Sequence, residues 1–415
     1  MENILAILLA GGAGERLFPL TRRIAKPAVP FGGCYRLIDF TLSNCINSDV
    51  RRILILTQYK ALELSRHLRD GWSILSGEMG EYIEVIPPMK RVHEDWYLGT
   101  ADAVYQNVAS ITVENPPQTL ILSADHIYKM NYREMLAWHR AHRADLTIAT
   151  LQVPPREAHR FGVAEIDGSH RIIGFEEKPQ HDHPAPSGFN PSMTSISMGV
   201  YVFDTSALIE ALRQDAASAD STHDFGRDVI PRMIHQARVV AYDFHDLNDK
   251  RGRYWRDVGT LDAYYEANMD LVSVTPELNL YDQNWPIRTR LVQQPPAKFV
   301  FAQEGRRMGV AIDSVVSAGC IISGGRVERS VLSPGVRVHS YCEVTDSIVL
   351  PNSTIGRYSR IRRAIIDENV NVPEGTVVGH EPEQDTAAGF HVTAGGVVIL
   401  SAEALPAVAA LVDRA

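Results

Sequence analysis

Residues 4–17 read Ile-Leu-Ala-Ile-Leu-Leu-Ala-Gly-Gly-Ala-Gly-Glu-Arg-Leu, a short apolar run followed by three glycines and an arginine. Such a run is typical of a strand that is covered on both faces in a parallel sheet. Glycines directly after the strand allow a tight turn, and they let backbone N–H groups approach a phosphate. Arg16 adds a guanidinium that matches phosphate oxygens. The spacing is neither that of the dinucleotide fingerprint nor that of the Walker loop, so a plain tight turn is the competing interpretation.

Further apolar runs follow the first one, and helical patterns lie between several of them. The predicted strands are Ile4–Leu9, Ile53–Thr57, Leu120–Ser123, Leu146–Leu151 and Met198–Phe203, and the predicted helices are Ala61–Arg69, Ala101–Ile111, Tyr132–His142, Phe225–His235 and Leu261–Leu271. This alternation predicts an α/β domain with a doubly wound, Rossmann-like mixed sheet. In such sheets ligands bind beyond the carboxyl ends of the strands.

Composition and charge narrow the class of protein. The chain has 415 residues, which suggests two domains or more, and its net charge of −9 argues against a nucleic-acid partner. Its four cysteines have no metal or redox spacing, so we expect reduced thiols. The first apolar run is too short to span a bilayer, and we therefore expect a cytoplasmic protein without a membrane segment.

Charged residues follow several of the predicted strands. Lys26 comes after the glycine loop, Asp125 follows the strand that ends at Ser123, and Asp257 lies between Trp255 and a glycine turn. A carboxylate at a strand end beside an anion-binding loop suits a metal–phosphate site. The competing interpretation for both acids is an N-terminal helix cap. The pair Glu177-Lys178 is also a candidate for the site, and the competing interpretation is a solvated cluster of charges.

Taken together, the motifs resemble those of sugar-nucleotide pyrophosphorylases, and most closely the bacterial glucose-1-phosphate adenylyltransferase branch. The stretches that carry the resemblance are Leu9–Leu17, Lys26–Val29, Phe31–Gly33, Arg36–Phe40, Leu42–Ser48, Trp96–Ala103, Ala124–Lys129, Glu177–Pro179, Ser197–Gly199 and Trp255–Thr260. The glycine loop marks only the broad superfamily. Arg36–Phe40, Trp96–Ala103 and Trp255–Thr260 are more specific to the adenylyl branch.

The resemblance implies a reaction, ATP + α-D-glucose 1-phosphate → ADP-glucose + pyrophosphate, with Mg²⁺ as the cofactor. It also implies roles for individual residues. Gly11, Gly12, Gly14, Arg16 and Lys26 would hold the triphosphate; Asp125 and Asp257 the metal; Gly162, Glu177, Lys178 and Ser197 the sugar phosphate; and Gln58, Tyr97, Gly99 and Thr100 would line the substrate pocket. Arg16, Lys26, Asp125 and Asp257 are the expected catalytic residues.

The chemistry agrees with this set of residues. The attacking group is a phosphate oxygen that is already ionised at neutral pH, so no general base is required. Catalysis then consists of aligning two polyanions and neutralising the charge on the leaving group. Cations, backbone N–H groups and metal-binding carboxylates are the parts that such a site needs.

The last third of the chain has a hexapeptide repeat. Apolar, mostly β-branched residues recur every six positions in four triplets that start 17 residues apart: Val315, Ile321 and Val327; Leu332, Val338 and Val344; Val349, Ile355 and Ile361; Ile366, Val372 and Val378. This spacing predicts a left-handed parallel β-helix of about four coils with these residues inside. We expect a nucleotidyltransferase domain at 1–274, a linker at 275–300, and the β-helix at 301–415 with a helical tail at Ser401–Val412.

The resemblance further implies a homotetramer under metabolite control, with effectors bound between the two domains. The matching basic residues are Arg22, Arg23, Arg36, Arg360, Arg362 and Arg363. Ile24 and Pro30 depart from the family pattern, which leaves the effectors unidentified, and a solvated basic face is the competing interpretation of Arg360–Arg363. Three alternatives to the main reading remain: another nucleotide or sugar as substrate, a non-catalytic regulatory subunit, and acyl transfer by the β-helix.

Overall fold

The computed structural model of the chain describes residues 3–12, 14–88, 96–181, 184–248, 253–303 and 307–404. The N-terminal domain contains strands β1 (Ile4–Ala10), β2 (Pro30–Phe31), β3 (Tyr35–Arg36), β4 (Arg52–Thr57), β5 (Tyr82–Ile86), β6 (Gln118–Ser123), β7 (His126–Tyr128), β8 (Leu146–Val153), β9 (Gly162–Ile166), β10 (Ile172–Glu177), β11 (Thr194–Asp204), β12 (Val239–Asp243) and β13 (Trp255–Asp257). Its helices are α1 (Leu37–Asn47), α2 (Ala61–Gly71), α3 (Thr100–Tyr105), α4 (Val108–Glu114), α5 (Tyr132–Ala141), α6 (Thr205–Ala216), α7 (Ile230–Gln236) and α8 (Leu261–Asp270).

The N-terminal domain is built on a nine-stranded mixed sheet, and this confirms the predicted fold class. Its main path runs β10-β9-β11-β6-β1-β4-β5, with β8 paired to β11 and to β12. β1 lies between β4 and β6 and is parallel to both, whereas β11 is antiparallel to β6. Buried apolar side chains cover both faces of the central strands, as the unbroken apolar run of β1 predicted. The glycine loop therefore leaves the sheet near its centre.

Two predicted helices differ from the expectation in detail. The stretch 101–111 forms two helices, α3 and α4, and the buried Asn107 at their junction donates from its side chain to Ala103 O and to the Tyr97 hydroxyl. The predicted helix at 225–235 begins as a π-turn, Phe225–Val229, before α7. Asp224 caps this turn by accepting from the N–H groups of Gly226 and Arg227.

Helix α1 was not predicted. Its first ten residues, Leu37 to Ile46, are all buried, and they include Asp39, Thr41, Ser43 and Asn44. The usual signature of a surface helix, an apolar stripe opposite a polar face, is therefore missing from its sequence.

The C-terminal domain is the predicted left-handed parallel β-helix. Its strands are β14 (Lys298–Val300), β15 (Ala302–Gln303), β16 (Arg307–Met308), β17 (Val310–Ile312), β18 (Val315–Val316), β19 (Ile321–Ser323), β20 (Arg326–Glu328), β21 (Val331–Leu332), β22 (Arg337–Val338), β23 (Glu343–Thr345), β24 (Ile348–Val349), β25 (Thr354–Ile355), β26 (Arg360–Arg362), β27 (Ala364–Ile366), β28 (Asn371–Val372), β29 (Val377–Val378), β30 (His391–Val392) and β31 (Val398–Leu400), with helix α9 at Pro382–Ala387. Two faces are five-stranded sheets and the third has six strands, so the domain has one level more than the repeat indicated.

The predicted interior register is wrong at its first two positions. Val316 pairs with Leu332 and Ile322 pairs with Val338, so the inward residues are Val316 and Ile322 rather than Val315 and Ile321. This coil is one residue shorter than the 17-residue repeat, and a slip of one residue turns a strand side chain to the opposite face. The other ten predicted interior residues are buried.

The β-helix face formed by β18, β21, β24, β27 and β31 lies against the N-terminal domain. Val331, Ile348 and Ile365 point outward on this face and belong to the same core cluster as the buried residues of the N-terminal domain. Their inward neighbours fill the interior of the β-helix. On each of these strands, one apolar residue thus packs against the N-terminal domain and its neighbour packs inside the β-helix.

The segment Thr275–Ala297 connects the domains without helix or strand. Its Leu278 and Ile287 side chains are nevertheless buried in the N-terminal core. Within the described ranges, no helix combines the length and apolar character needed to cross a membrane. The predicted tail helix falls largely on residues 405–415, outside the described residues; before it, Ala402–Ala404 form a 3₁₀ turn.

Candidate active site

The glycine loop leaves β1 at Ala10 and closes around a cavity of about 610 Å³. Gly14 has a φ of 66°, and a Cβ there would lie 3.0 Å from Cγ2 of Thr21 and 3.1 Å from Cβ of Lys26. A side chain at Gly11 would press on Gln58, whereas Gly12 faces open space. The loop thus needs glycine where it turns and packs. Ala13 lies outside the described residues.

Arg16 lies in a 3₁₀ turn at the end of the loop, and its side chain reaches across the cavity. A Cβ built on Gly259 would be 3.0 Å from a terminal guanidinium nitrogen of Arg16 and equally close to Oδ2 of Asp257. Arg16 and the predicted metal ligand Asp257 therefore both lie next to Gly259.

Lys26 sits between two carboxylates. Its Nζ is 2.7 Å from Oδ2 of Asp125 and 3.2 Å from Oδ1 of Asp257. Asp125 follows β6 and Asp257 ends β13, and antiparallel pairing of β13 with β7 places Asp257 opposite His126. Three of the four predicted catalytic side chains therefore converge at one sheet edge. Neither acid is a helix cap, since strand β7 follows Asp125 and Thr260 caps α8 after Asp257.

The charges of this triad stabilise one another. Burial by itself lowers the pKa of Lys26, but the adjacent Asp125 and Asp257 carboxylates outweigh burial and raise the pKa. Burial likewise raises the pKa of Asp125, but Lys26 and His126 outweigh it and bring the pKa down to about 2. The pKa of Asp257 is lowered in the same way. All three groups are therefore charged at neutral pH.

The two carboxylates fit a divalent ion that shares its ligands with a substrate. Among the described residues, no three acidic, histidine or cysteine side chains converge into a cage made of protein alone. Mg²⁺ does not require one, since it is often bound by one or two carboxylates together with substrate phosphates and water. The Nε2 of His126 lies 3.7 Å from Asp125 and 3.9 Å from Asp257.

The pair Glu177-Lys178 ends β10 in a strained conformation. Lys178 has a φ of 51°, its N–H donates to Phe161 O at 3.0 Å, and its Nζ is 3.1 Å from Glu177 Oε1. A Cβ at Gly162 would lie 2.8 Å from Oε2 of Glu177. A left-handed lysine is costly, and such strain is typical of functional sites.

Ser197 is on β11, where the pairing with β8 is interrupted. It is buried, and its hydroxyl oxygen accepts from the Gly199 N–H while the hydroxyl bonds Tyr201. The bulge between Ser197 and Tyr201 leaves Gly199 at a φ of 68°, next to Ser123 and His126. Gly199, two residues after the predicted sugar-phosphate serine, thus lies at the end of β6.

The stretch Tyr97–Thr100 lies against a loop that the sequence did not identify as functional, His223-Asp224-Phe225-Gly226. A Cβ at Gly99 would be 2.2 Å from His223 O, and Thr100 Oγ1 donates to Asp224 Oδ2 at 3.0 Å. Gln58 Nε2 donates to Tyr97 O at 3.3 Å. The predicted pocket residues are therefore brought together, with this loop as an additional wall.

The same loop also approaches the predicted sugar-phosphate residues. A Cβ at Gly226 would lie 2.5 Å from Glu177 Oε2, so glycine is needed there. The signal available in the sequence was an Asp–Phe–Gly run at the start of a helical pattern, which also fits an ordinary helix cap.

Comparisons with known proteins identify the family of the chain. The profile of the Nucleotidyl transferase family matches residues 5–274, which hold every residue of the site described above. The chain belongs to this family. The profile described as GlmU-like, C-terminal hexapeptide matches residues 295–400 of this nucleotidyltransferase.

Proteins named glucose-1-phosphate adenylyltransferase are similar to this nucleotidyltransferase over nearly their whole length. The relative from Koribacter versatilis is 56% identical, with 97% of this chain and 96% of the relative aligned. The Rhodopirellula baltica relative is 52% identical, covering 97% and 90% of the two chains, and the Teredinibacter turnerae relative is 52% identical, covering 97% and 96%. The resemblance to the sugar-nucleotide pyrophosphorylase family is confirmed, and nucleotidyltransferases of this family generally use a divalent metal.

The six predicted effector arginines of this nucleotidyltransferase do not form one cluster. Arg22 and Arg23 share the Glu403 carboxylate at 3.2 and 3.5 Å, and Arg36 lies 3.7 Å from Glu368 while also donating to Ala28 O. These three arginines therefore face the C-terminal domain, where each is paired with a carboxylate of the chain itself.

The other three arginines lie on the β-helix itself. Arg363 donates to Gly395 O at 3.0 and 3.1 Å, and its guanidinium lies over the Tyr265 ring of α8. Arg360 and Arg362 are exposed on either side of the buried Ile361 in β26. Arg363 thus contributes to the contact between the domains.

Proposed function

We propose that this chain is a glucose-1-phosphate adenylyltransferase, which transfers AMP from ATP to α-D-glucose 1-phosphate and releases ADP-glucose and pyrophosphate. The observation that carries the proposal is the Asp125–Lys26–Asp257 triad beside a glycine loop, at the carboxyl edge of the sheet. Full-length relatives that carry this name support the choice of substrates.

The proposed step is one displacement at phosphorus. A phosphate oxygen of glucose 1-phosphate forms a bond to the α-phosphorus of ATP, and the bond from that phosphorus to the bridging oxygen of the β-phosphate breaks. The electron pair leaves with pyrophosphate, and no proton has to move because the nucleophile is already ionised. The protein therefore acts by alignment and by charge neutralisation.

The leaving group is assigned to the glycine loop. Backbone N–H groups at Gly11, Gly12 and Gly14 can approach the phosphates closely because these residues have no side chains, and Arg16 reaches over Gly259 to the same cavity. Lys26 contributes a buried ammonium beside them. These fixed charges stabilise the developing pyrophosphate without reorganisation.

Asp125 and Asp257 would hold a Mg²⁺ ion, which would neutralise phosphate charge when bound. His126 and Lys26 favour the ionised form of both carboxylates before any ligand arrives, as the lowered pKa values of both acids indicate, and the Lys26 ammonium lies between them. Lys26 therefore preorganises the ligand pair.

We assign the sugar phosphate to Gly162, Glu177, Lys178 and Ser197, and the lining of the substrate pocket to Gln58, Tyr97, Gly99 and Thr100. The His223–Gly226 loop supports both groups, since it contacts Thr100 through Asp224 and approaches Glu177 through Gly226. ADP-glucose is an activated glucosyl donor, and we propose that it serves glycogen biosynthesis in the cytoplasm.

The test is substrate specificity. Pyrophosphate exchange and product formation would be measured for ATP, UTP, dTTP, CTP and GTP with glucose 1-phosphate and other sugar 1-phosphates. We expect ATP with glucose 1-phosphate to exceed every other pair by at least roughly 10²-fold in kcat/KM. A preference for another pair would replace the assigned substrates, and inactivity with all of them would favour the non-catalytic subunit.

We also propose that the enzyme is a homotetramer with metabolite control through Arg22, Arg23, Arg36, Arg360, Arg362 and Arg363. Because Glu403 and Glu368 already pair with the first three, an anionic effector would compete with these carboxylates. The test is to titrate activity with sugar bisphosphates, fructose 6-phosphate, pyruvate and AMP. No response to any of them would reject metabolite control.

A further inference from the structure

Helix α1 buries several polar side chains, and the reaction proposed above assigns none of them a role. Thr41, Ser43 and Asn44 are all fully buried. Burying polar groups is costly unless each finds a hydrogen-bond partner. Their partners show what this helix holds together.

Two residues of α1 bond the backbone on both flanks of Asp125. Thr41 Oγ1 donates to Ser123 O at 2.9 Å, just before the carboxylate. Asn44 Nδ2 donates to Tyr128 O at 3.1 Å, and the Met130 N–H donates to Asn44 Oδ1 at 3.2 Å, just after it. These bonds fix the chain path from β6 through β7, and this path determines where Asp125 points.

Three residues of α1, Asn44 among them, also bond the segment that leads to the β-helix. The indole N–H of Trp285 donates to Asn44 Oδ1 at 2.9 Å, and the Arg288 N–H donates to Ser43 Oγ at 2.8 Å. Asn47 Nδ2 donates to Pro286 O at 3.0 Å. The interdomain segment is therefore hydrogen-bonded to α1 at several positions.

The strand that follows Asp125 has a second attachment to this segment. Lys129, at the end of β7, is fully buried and donates to Asn279 O at 2.5 Å and to Asp282 Oδ2 at 3.1 Å. The turn that carries Asp125 and the interdomain segment are thus joined directly as well as through α1.

We propose that Asn44 is a positioning residue for the transfer reaction, coupling the interdomain segment at Trp285 to the turn that carries Asp125. Its amide has one oxygen that accepts from both Trp285 and Met130 and one nitrogen that donates to Tyr128. A shift of Trp285 therefore changes the bonds that hold the catalytic turn. Asn44 touches no reacting group and acts through Asp125.

The test uses Trp285→Phe, which removes the indole N–H and retains an aromatic ring. The matched control is Trp138→Phe, because Trp138 Nε1 also donates one bond, to Ala241 O at 3.1 Å. Loss of one hydrogen bond to positioning corresponds to a fall in kcat of roughly 2- to 10-fold. We expect that fall in Trp285→Phe with both KM values unchanged, and an unchanged kcat in Trp138→Phe despite a similar drop in Tm.

A double variant separates coupling from general damage. If Trp285 acts through Asn44, Trp285→Phe will not lower kcat further in an Asn44→Ala background. An unchanged kcat in Trp285→Phe, an equal fall in Trp138→Phe, or full additivity would overturn the proposal. Should Asn44→Ala not fold, the comparison of the two tryptophan variants still decides it. The proposal rests on the adenylyl-transfer reaction, whose own failure would appear as an inactive wild type.

Discussion

The ammonium of Lys26 lies 2.7 Å from Oδ2 of Asp125, so a lysine of the chain occupies the space between the carboxylates assigned to a metal. Asp257 completes the arrangement at 3.2 Å. Such an arrangement keeps two carboxylates close together that would otherwise repel each other. The site is therefore preorganised for a divalent cation and a polyphosphate. Replacing single residues of the site should have measurable consequences.

Asp125→Asn is expected to lower kcat by at least roughly 10²-fold, because one preorganised charged group of the site is lost. The measurement is steady-state ADP-glucose formation at saturating substrates and Mg²⁺. Asp313→Asn is the matched control, since Asp313 is exposed on the β-helix and asparagine tolerates its left-handed backbone. A near-normal kcat in Asp125→Asn would remove this residue from the catalytic set.

Arg16→Ala is expected to reduce kcat by about 10²-fold while the KM for ATP changes by no more than about 3-fold. The reason is that Arg16 faces the leaving pyrophosphate, where charge grows only during the reaction. Initial rates across a range of ATP concentrations measure both parameters. If KM rises and kcat stays constant, Arg16 serves ground-state binding instead.

Gly226→Ala is expected to weaken sugar-phosphate binding, because the new methyl group would stand 2.5 Å from Oε2 of Glu177 and displace it. We expect the KM for glucose 1-phosphate to rise by about 10-fold, the effect of roughly one lost polar contact, with the KM for ATP unchanged. Gly168→Ala is the control, since a Cβ at Gly168 meets no atom within 4 Å. Equal behaviour of the two variants would separate Gly226 from the sugar site.

Asp367→Asn is expected to stabilise the protein at neutral pH. Burial, together with the charge of Glu368, raises the pKa of Asp367 to about 6 from its ordinary value of 3.8. The folded state therefore binds this proton more tightly than the unfolded chain does. The free energy of unfolding consequently falls, on the order of 1–3 kcal/mol, as the pH rises from about 4 to about 6.

The asparagine variant lacks this penalty, and its Tm should exceed the wild-type Tm by roughly 1–4 °C at pH 7.5. The gain should vanish near pH 3, below the ordinary pKa of 3.8, where the wild-type carboxyl is largely protonated in both states. Thermal melts at the two pH values provide the measurement. The same gain at both would show that charge is not its cause.

The shortened coil of the β-helix predicts unequal effects at two adjacent isoleucines. Ile322 is fully buried and points inward, whereas Ile321 remains partly exposed. Ile322→Ala should cost about 2–5 kcal/mol through the cavity it leaves, and Ile321→Ala clearly less. Thermal melts of both variants measure the difference. A larger loss at Ile321 would favour the regular 17-residue register.

Local features of this protein followed from the sequence alone. The glycine run after an apolar strand, the acids at strand ends and the hexapeptide period each depend on a few consecutive residues whose conformational preferences are strong. They predicted the doubly wound sheet, the β-helix and the residues that meet at the sheet edge.

The features that the sequence did not predict depend on contacts between distant segments. The one-residue slip at Ile322 is fixed by pairing with the next coil, which no period within the chain reports. Helix α1 was missed because its polar residues are buried against other elements, and their partners are known only once the chain has folded.

The glycine loop, Lys26 and the two acids could be named from the sequence because each follows a recognisable strand or turn. That the lysine stands between Asp125 and Asp257, and that Asn44 ties their turn to Trp285, depended on tertiary structure. Residues more than 200 positions apart meet there, and only packing of the whole domain sets such distances.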